Sequence, residues 1–241
     1  MSPFALFRGL LLLPAIPIFT LICCLAILCG IFILRQSQET IQLYPRLWAR
    51  SICRLAGVRV TISGAERLDP DTTYIYCANH LSQFDIFSFQ GYFPLSFRWL
   101  AKKELSRIPL LGAAMHHAGT VFVNRTQGRQ ALKSLDQAAA KINHGTSVLI
   151  FPEGTRSADG QLHPFKGGAM LLGIKAGTPL VPMAIKGSYE ILPKGAWWPH
   201  SGTITITIGE PVTSSAYNSR QKQELAQLIH DRVADLLAPE A

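Results

Sequence analysis

From Gly9 to Leu34 the chain carries no charged residue, and all 26 positions are apolar or small. As a helix this run is long enough in principle to cross a bilayer. Pro14 and Pro17 interrupt it, and the 17 residues from Ile18 to Leu34 give only about 25 Å of helix against a hydrocarbon core of about 30 Å. The run reads as an uncleaved anchor, either one tilted span or a kinked hairpin dipping into one leaflet. No A-x-A-like site follows it and Arg35 ends it, which argues against a secretory signal.

Beyond the anchor, "PRLWARSICRLAG" places Arg46, Arg50 and Arg54 at intervals of four, a stripe along one side of a helix. Such a helix either packs on the domain or lies on an anionic membrane surface. From Gly57 onward the pattern alternates. Strand-like runs occupy residues 58–62, 73–78, 97–101, 120–123, 147–151, 180–185 and 203–208. Helical patterns run from Phe84 to about Gly91, from Gln130 to about Asn143, over "GGAMLLGIKAG", and from Arg220 to Leu237, where Leu225, Leu228, Ile229, Val233, Leu236 and Leu237 share a face. This alternation predicts an α/β domain over residues 57–241, with a largely parallel central sheet flanked by helices, preceded by a membrane-binding helical segment over residues 1–56.

Composition sharpens the picture. At 241 residues the chain is long enough to bury a core without staples. Its five cysteines are odd in number and show no C-x-x-C or Cys/His ligand spacing, so neither a disulfide framework nor structural zinc is expected. The formal charge of +8 would suit nucleic acid, but no zinc-finger, RRM-like or basic-region pattern accompanies it. Anionic lipids are the expected partner, and nucleic acid is not. Arg35, Arg46, Arg50 and Arg54 outweigh the single Arg8 before the run, which places the main domain on the cytoplasmic side of the membrane.

The candidate chemistry lies after strands. In "CANHLSQFDIF", His80 and Asp85 are five positions apart, roughly 140° around an unbroken helix, so they can meet only if the chain breaks between them. Ser82 supplies the break as an N-cap, with Asp85 at the third helical position. His80 then lies on a turn that can fold its ring back to the Asp85 carboxylate, the arrangement of a general base. The alternative is a satisfied structural histidine beside a capping aspartate. In "GTVFVNR" an apolar strand ends in Arg125, and in "FPEGTRS" another opens into Glu153, Gly154, Thr155 and Arg156. Ligands in open α/β sheets collect at such ends, and guanidinium forks match phosphate oxygens. Lys102, after a third strand, can join them. Neither a G-x-S-x-G elbow, nor H-E-x-x-H, nor a P-loop occurs, so serine hydrolysis of that type, metal and nucleotide-triphosphate chemistry are not expected.

Together, "NHLSQFD", "GTVFVNR", "FPEGTRS" and "VPMAIKG", in that order, resemble the four sequence blocks of the glycerolipid acyltransferases, most closely the branch that acylates 1-acyl-glycerol-3-phosphate. His80 and Asp85 match the H-x4-D block, and Gly119, Phe122 and Arg125 the second. Glu153 to Arg156 match the third, and Pro182 the fourth. The resemblance implies that His80, oriented by Asp85, deprotonates a glycerol hydroxyl, which attacks an acyl thioester. It implies that Arg125, Arg156 and Lys102 hold the acceptor's phosphate, while Glu153, Gly154 and Thr155 shape its site. The co-substrates would be lysophosphatidate and acyl-CoA or acyl carrier protein, with no cofactor or metal. Acylation of another hydroxyl acceptor, or a membrane-binding protein without catalysis, remain the alternatives.

Overall fold

The computed structural model describes residues 3–124 and 128–238, with side chains from Gly9 onward. Every strand expected from the alternation forms: β1 (Val58–Ser63), β2 (Ile75–Ala78), β3 (Arg98–Lys102), β4 (Val121–Val123), β5 (Val148–Ile150), β6 (Leu180–Lys186) and β7 (Gly202–Ile208). Among the described residues they make one seven-stranded sheet in the order β1-β7-β6-β2-β5-β3-β4. Neighbours run parallel except at the β6–β7 pair. Around the sheet stand α1 (Pro3–Phe32), α2 (Gln38–Ile41), α3 (Leu43–Ala56), α4 (Phe84–Tyr92), α5 (Leu111–His117), α6 (Arg129–Asn143), α7 (Gly167–Ala176), α8 (Ser188–Ile191) and α9 (Lys222–Leu237).

The two-residue period of the strands sorts side chains to two cores. Ile75 and Cys77 of β2 and Leu180 and Ala184 of β6 point to one face, where Ala138 and Ile142 of α6, Met170 and Leu172 of α7, and Leu225, Ile229 and Val233 of α9 cover them. Tyr76, Ala78, Val181, Met183 and Ile185 point to the other, against Ile52, Cys53 and Ala56 of α3 and Phe84, Phe87 and Phe89 of α4. At the β1–β7 edge the strands alternate between buried and open, so Ile204, Ile206 and Ile208 enter the second core while the threonines of "TITITI" face outward. That edge is covered on one side only, the pattern expected of a strand with one solvated face.

The N-terminal run does not kink into a hairpin: α1 passes unbroken through Pro14 and Pro17. Each proline removes one i→i−4 hydrogen bond, and the remaining ladder continues. Its 30 residues extend about 45 Å. One face packs on the domain through Leu12, Ala15, Cys24 and Ile27, whereas Leu10, Ile18, Ile22 and Leu25 on the opposite side are exposed. The most apolar window between Gly9 and Phe32 has a mean hydropathy of 2.7, yet only 28% of it is buried inside the fold. A helix apolar all round with one stripe packed leaves the other stripe unaccounted for by the fold itself. After a turn at Ile33–Ser37, α3 runs back along α1, and the Trp48 indole N–H donates to Thr20 Oγ1 at 3.1 Å.

Two arginines of the α3 stripe are engaged on the domain itself. Arg46 donates to the Phe93 carbonyl at 2.6 Å and Arg50 to the Gly91 carbonyl at 2.7 Å, so both cap the C-terminus of α4. Their charge complements the negative end of that helix. Arg50 also lies over the Tyr92 ring, 5.5 Å from its centroid. Of the three, Arg54 alone is exposed.

Candidate active site

Sheet order brings the candidate segments together. β2, β5 and β3 are parallel neighbours, so their carboxyl ends sit in a row at one edge, about 5 Å apart per strand. The end of β2 delivers His80, the end of β5 delivers Glu153 to Arg156, and β3 ends on Lys102. β4 follows in the row and ends at Val123; Arg125 lies outside the described residues. Pro182 of the fourth block is buried within β6 opposite Cys77, and so supports the sheet beneath the site.

Asn79 lets the chain leave the sheet. Its side-chain amide donates to the Ile185 carbonyl at 3.0 Å and accepts the Ile185 N–H at 2.8 Å. These bonds continue the β2–β6 ladder by one rung while freeing the next residue to turn. His80 Nδ1 then lies 2.8 Å from Asp85 Oδ2. The same oxygen accepts the Leu81 N–H at 2.7 Å and the Ser82 N–H at 2.8 Å. Because a carboxylate only accepts, Nδ1 is the donor, and the lone pair falls to Nε2. Asp85 is fully buried and sits in the first turn of α4, where the positive end of the helix favours a negative charge. Its other oxygen, Oδ1, has no partner among the described residues.

The helix starts at Phe84, so its N-cap is Gln83 and not the expected Ser82, and Asp85 is its second residue and not its third, but Ser82 still bonds the helix start from one position earlier. Ser82 Oγ accepts the Phe84 N–H at 3.2 Å while Asp85 accepts the Ser82 N–H. That hydroxyl donates to the Leu192 carbonyl at 2.8 Å and is buried, so Ser82 is not aligned with His80 as a nucleophile. The imidazole is 13% exposed and stacks face to face on Phe151, centroids 3.9 Å apart and planes 9° apart. Trp99 backs Phe151 in turn. The ring is thus fixed on three sides, by a carboxylate, an aromatic face and its own backbone.

Glu153 supplies the backbone restraint. Its Oε1 accepts the His80 N–H at 2.8 Å, and Ser157 N–H donates to the His80 carbonyl at 2.7 Å. The loop after β5 therefore holds the turn after β2 from both sides of one residue. Burial pushes the Glu153 carboxyl up to about 7, against the opposing pull of the His80 N–H and of His163. Its Oε2 is buried without a partner among the described residues. The folded chain thus keeps a proton that the unfolded chain releases from 4.5 upward, and this contribution to stability is lost as pH rises from there through about 7. Glu153→Gln keeps an acceptor for the His80 N–H and removes the titration. Between about pH 5 and about pH 8 the wild type is expected to lose about 2 kcal/mol more unfolding free energy than the variant, read from denaturant unfolding of both proteins in the same detergent.

The dyad opens onto a cavity of about 650 Å³. Its mouth holds His80, Gly154, Thr155, Arg156 and Lys102, and its depth is walled by Cys24 and Ile27 of α1, Trp48 of α3, and Leu111, Ala114 and Met115 of α5. The lining thus joins cations, Arg98 among them, to a mostly apolar wall, and the volume lies within the usual ~300–1,000 Å³ of ligand pockets. Gly154 bends the loop at φ +80°, a conformation that favours glycine, and a side chain there would press on the Lys166 amine. Glu153 does not line the cavity; its carboxyl sits behind His80. Lys102 is more than half exposed and 3.8 Å from Glu104. Two cations that the motif reading did not single out stand by the same loop. Lys194 Nζ reaches the Arg156 carbonyl at 3.1 Å and Thr155 Oγ1 at 3.4 Å, and Lys166 lies beside Gly154. Lys166 ends the same loop, at the start of α7, whereas Lys194 comes from the distant α8–β7 loop, and neither carries a local signal beyond its charge. Among the described residues no group of three or more His, Cys, Asp or Glu converges as a metal site.

Known proteins resemble this arrangement. A family model described as Acyltransferase matches residues 59–186. The chain is 35% identical over 183 residues to a chloroplastic 1-acyl-sn-glycerol-3-phosphate acyltransferase of Brassica napus, covering 75% of this chain and 53% of that protein. It is 33% identical over 186 residues to the protein of the same name from Pseudomonas aeruginosa, covering 76% of this chain and 71% of that one. The chain spans about half the length of the chloroplastic and algal relatives it matches. The crystal structure of the 1-acyl-sn-glycerophosphate acyltransferase PlsC of Thermotoga maritima superposes with a TM-score of 0.80 at 26% identity, covering 98% of this chain and 99% of that chain.

Proposed function

Since the chain belongs to the acyltransferase family, we propose that it transfers a fatty acyl group from a thioester to the sn-2 hydroxyl of 1-acyl-glycerol-3-phosphate at a membrane surface, giving phosphatidate. The observation that carries this reading is the His80–Asp85 pair beside the cations of a mostly apolar cavity. The names carried by the relatives in Brassica napus and Pseudomonas aeruginosa and by the Thermotoga maritima structure support the acceptor.

In this mechanism His80 Nε2 takes the proton of the acceptor hydroxyl as its oxygen attacks the thioester carbon. The C–S bond of the tetrahedral intermediate then breaks, and the thiolate takes the proton back from the imidazolium. Asp85 holds the ring in the tautomer with Nε2 unprotonated and balances its charge once protonated. The acyl chain of the thioester occupies the apolar depth of the cavity, so the carbonyl is left at the mouth beside His80. Arg156, with Lys102 and Arg125, attracts the acceptor's phosphate, and a guanidinium fork suits two of its oxygens. Glu153 acts on His80 through its backbone and does not touch the acceptor. The reaction so written uses no cofactor beyond the thioester co-substrate, acyl-CoA or acyl carrier protein.

The exposed stripe of α1 supports a site at the lipid surface, where such an acceptor resides. Its apolar residues would enter the bilayer while the opposite stripe walls the cavity, and the arginine count around the run supports a cytoplasmic position for the α/β portion. Purified full-length protein in mixed micelles, offered acyl-CoA or acyl carrier protein thioester, is expected to acylate lysophosphatidate and to leave glycerol-3-phosphate largely unreacted. The reason is that only lysophosphatidate brings an acyl chain that keeps it at the lipid surface. Faster turnover of glycerol-3-phosphate would reassign the acceptor, and no turnover of either would favour a binding protein on the same fold.

A further inference from the structure

The loop between α8 and β7, "LPKGAWWPHS", carries the two adjacent tryptophans of the chain, and they are used differently. Trp198 is packed onto α1: a methyl placed on Gly9 would overlap its indole ring. Trp197 is 83% exposed, more than any other large apolar side chain among the described residues. The same loop accepts the Ser82 hydroxyl at the Leu192 carbonyl and sends Lys194 to the Arg156 carbonyl. One short loop therefore touches the anchor helix, the turn that carries His80 and the loop that carries Arg156.

We propose that this loop is a second membrane contact, in which Trp197 enters the headgroup region of the bilayer beside the exposed face of α1. The inference rests on the reading that α1 seats in lipid. Trp197 is continuous with that face through the Trp198–Gly9 packing, where Leu10, Leu11 and Leu13 are exposed on the neighbouring turn. Charge agrees: no acidic residue occurs between Glu190 and Glu210, while Lys194 and His200 do, so the loop suits an anionic surface. Indole, with an apolar body and a polar N–H, is the side chain that settles at this level. Through Lys194 the contact would fix the phosphate-binding mouth at headgroup depth, so that the acceptor slides in laterally.

The test uses the full chain with phosphatidylglycerol/phosphatidylethanolamine vesicles containing lipids brominated near the headgroup or near the chain ends. Wild type and Trp197→Phe are each floated and their fluorescence compared. The expected result is that the difference between them, the emission of Trp197, is quenched strongly by shallow bromines and weakly by deep ones. In parallel, Trp197→Glu is expected to lower turnover of vesicle-borne lysophosphatidate roughly tenfold, the scale of losing one large side chain's burial. Its turnover of a short-chain, water-soluble lysophosphatidate should match wild type. Trp197 emission untouched by either bromine in protein that does float would overturn the inference while leaving α1 as the anchor. Wild-type protein that fails to float would overturn both. Equal losses on the vesicle-borne and soluble acceptors would show that the loop supports the site alone.

Discussion

His80→Ala is expected to lower kcat by about 10²–10⁴-fold or more, the usual consequence of removing a general base, while leaving the protein folded. The imidazole lies at the cavity mouth, and its loss vacates one face of Phe151 without exposing either core. The backbone bonds at residue 80, from its N–H to Glu153 and to its carbonyl from Ser157, do not depend on the side chain. Asp85→Asn should also cost activity, but with a different signature. Asp85 Oδ2 gathers three donors, two of them the N–H groups that shape the turn. A neutral amide there weakens all three bonds and no longer balances an imidazolium, so a loss of about 1–3 kcal/mol in stability should accompany the fall in kcat. Steady-state kinetics with thermal unfolding of both variants separates the two roles. A folded His80→Ala enzyme with near-native turnover would remove the dyad from the mechanism.

The difference between those variants also marks what could be read from the chain alone. The H-x4-D spacing and Ser82 were enough to place His80 against Asp85, because a capped helix start leaves a turn little choice of path. Alternating strands were equally legible, since β-branched runs bounded by turn residues obey a local rule. Less legible was everything that depends on which strands become neighbours. No local signal says that β5 sits between β2 and β3, and that adjacency is what puts Glu153 under His80 and not in the cavity lining. Arg46 and Arg50 show the same limit. Their four-residue spacing is compatible with lipid or with protein, and only the packing of α3 on α4 reveals that they cap carbonyls. In α1, local rules misled: two prolines suggest a break, yet a helix supported along one face tolerates both lost bonds. The wall formed by α5 was missed for another reason. Seven residues are too short for a 3.6-residue period to show, and the helix starts from Leu110 in a backbone conformation rare outside glycine.

Arg156→Ala is expected to cost about 2–5 kcal/mol in kcat/KM for lysophosphatidate, the penalty for removing one partner of a desolvated charge pair, and to leave monoacylglycerol turnover little changed. The two acceptors share the hydroxyl that His80 would deprotonate and differ in the phosphate. Their ratio of kcat/KM therefore isolates the contact, whereas a folding defect lowers both together. Among the described residues Arg156 has no acidic partner, although it lines the cavity mouth. A half-buried guanidinium left without a counter-charge at the end of a strand is poised for an anion brought by the substrate. Lys194 tempers the expected size. It bonds the Arg156 carbonyl, which the substitution retains, so one ammonium stays near the vacated position and the loss should fall toward the lower end of the range. Arg156→Lys should recover only part of the discrimination, since an ammonium offers a point charge where the phosphate is matched by a fork. In the double variant with Lys194→Ala the combined loss should exceed the sum of the two single losses, because each cation partly covers for the other. Equal losses on the phosphorylated and neutral acceptors would instead assign Arg156 to the acyl donor or to the loop, and would move the phosphate to Lys102 and Arg125.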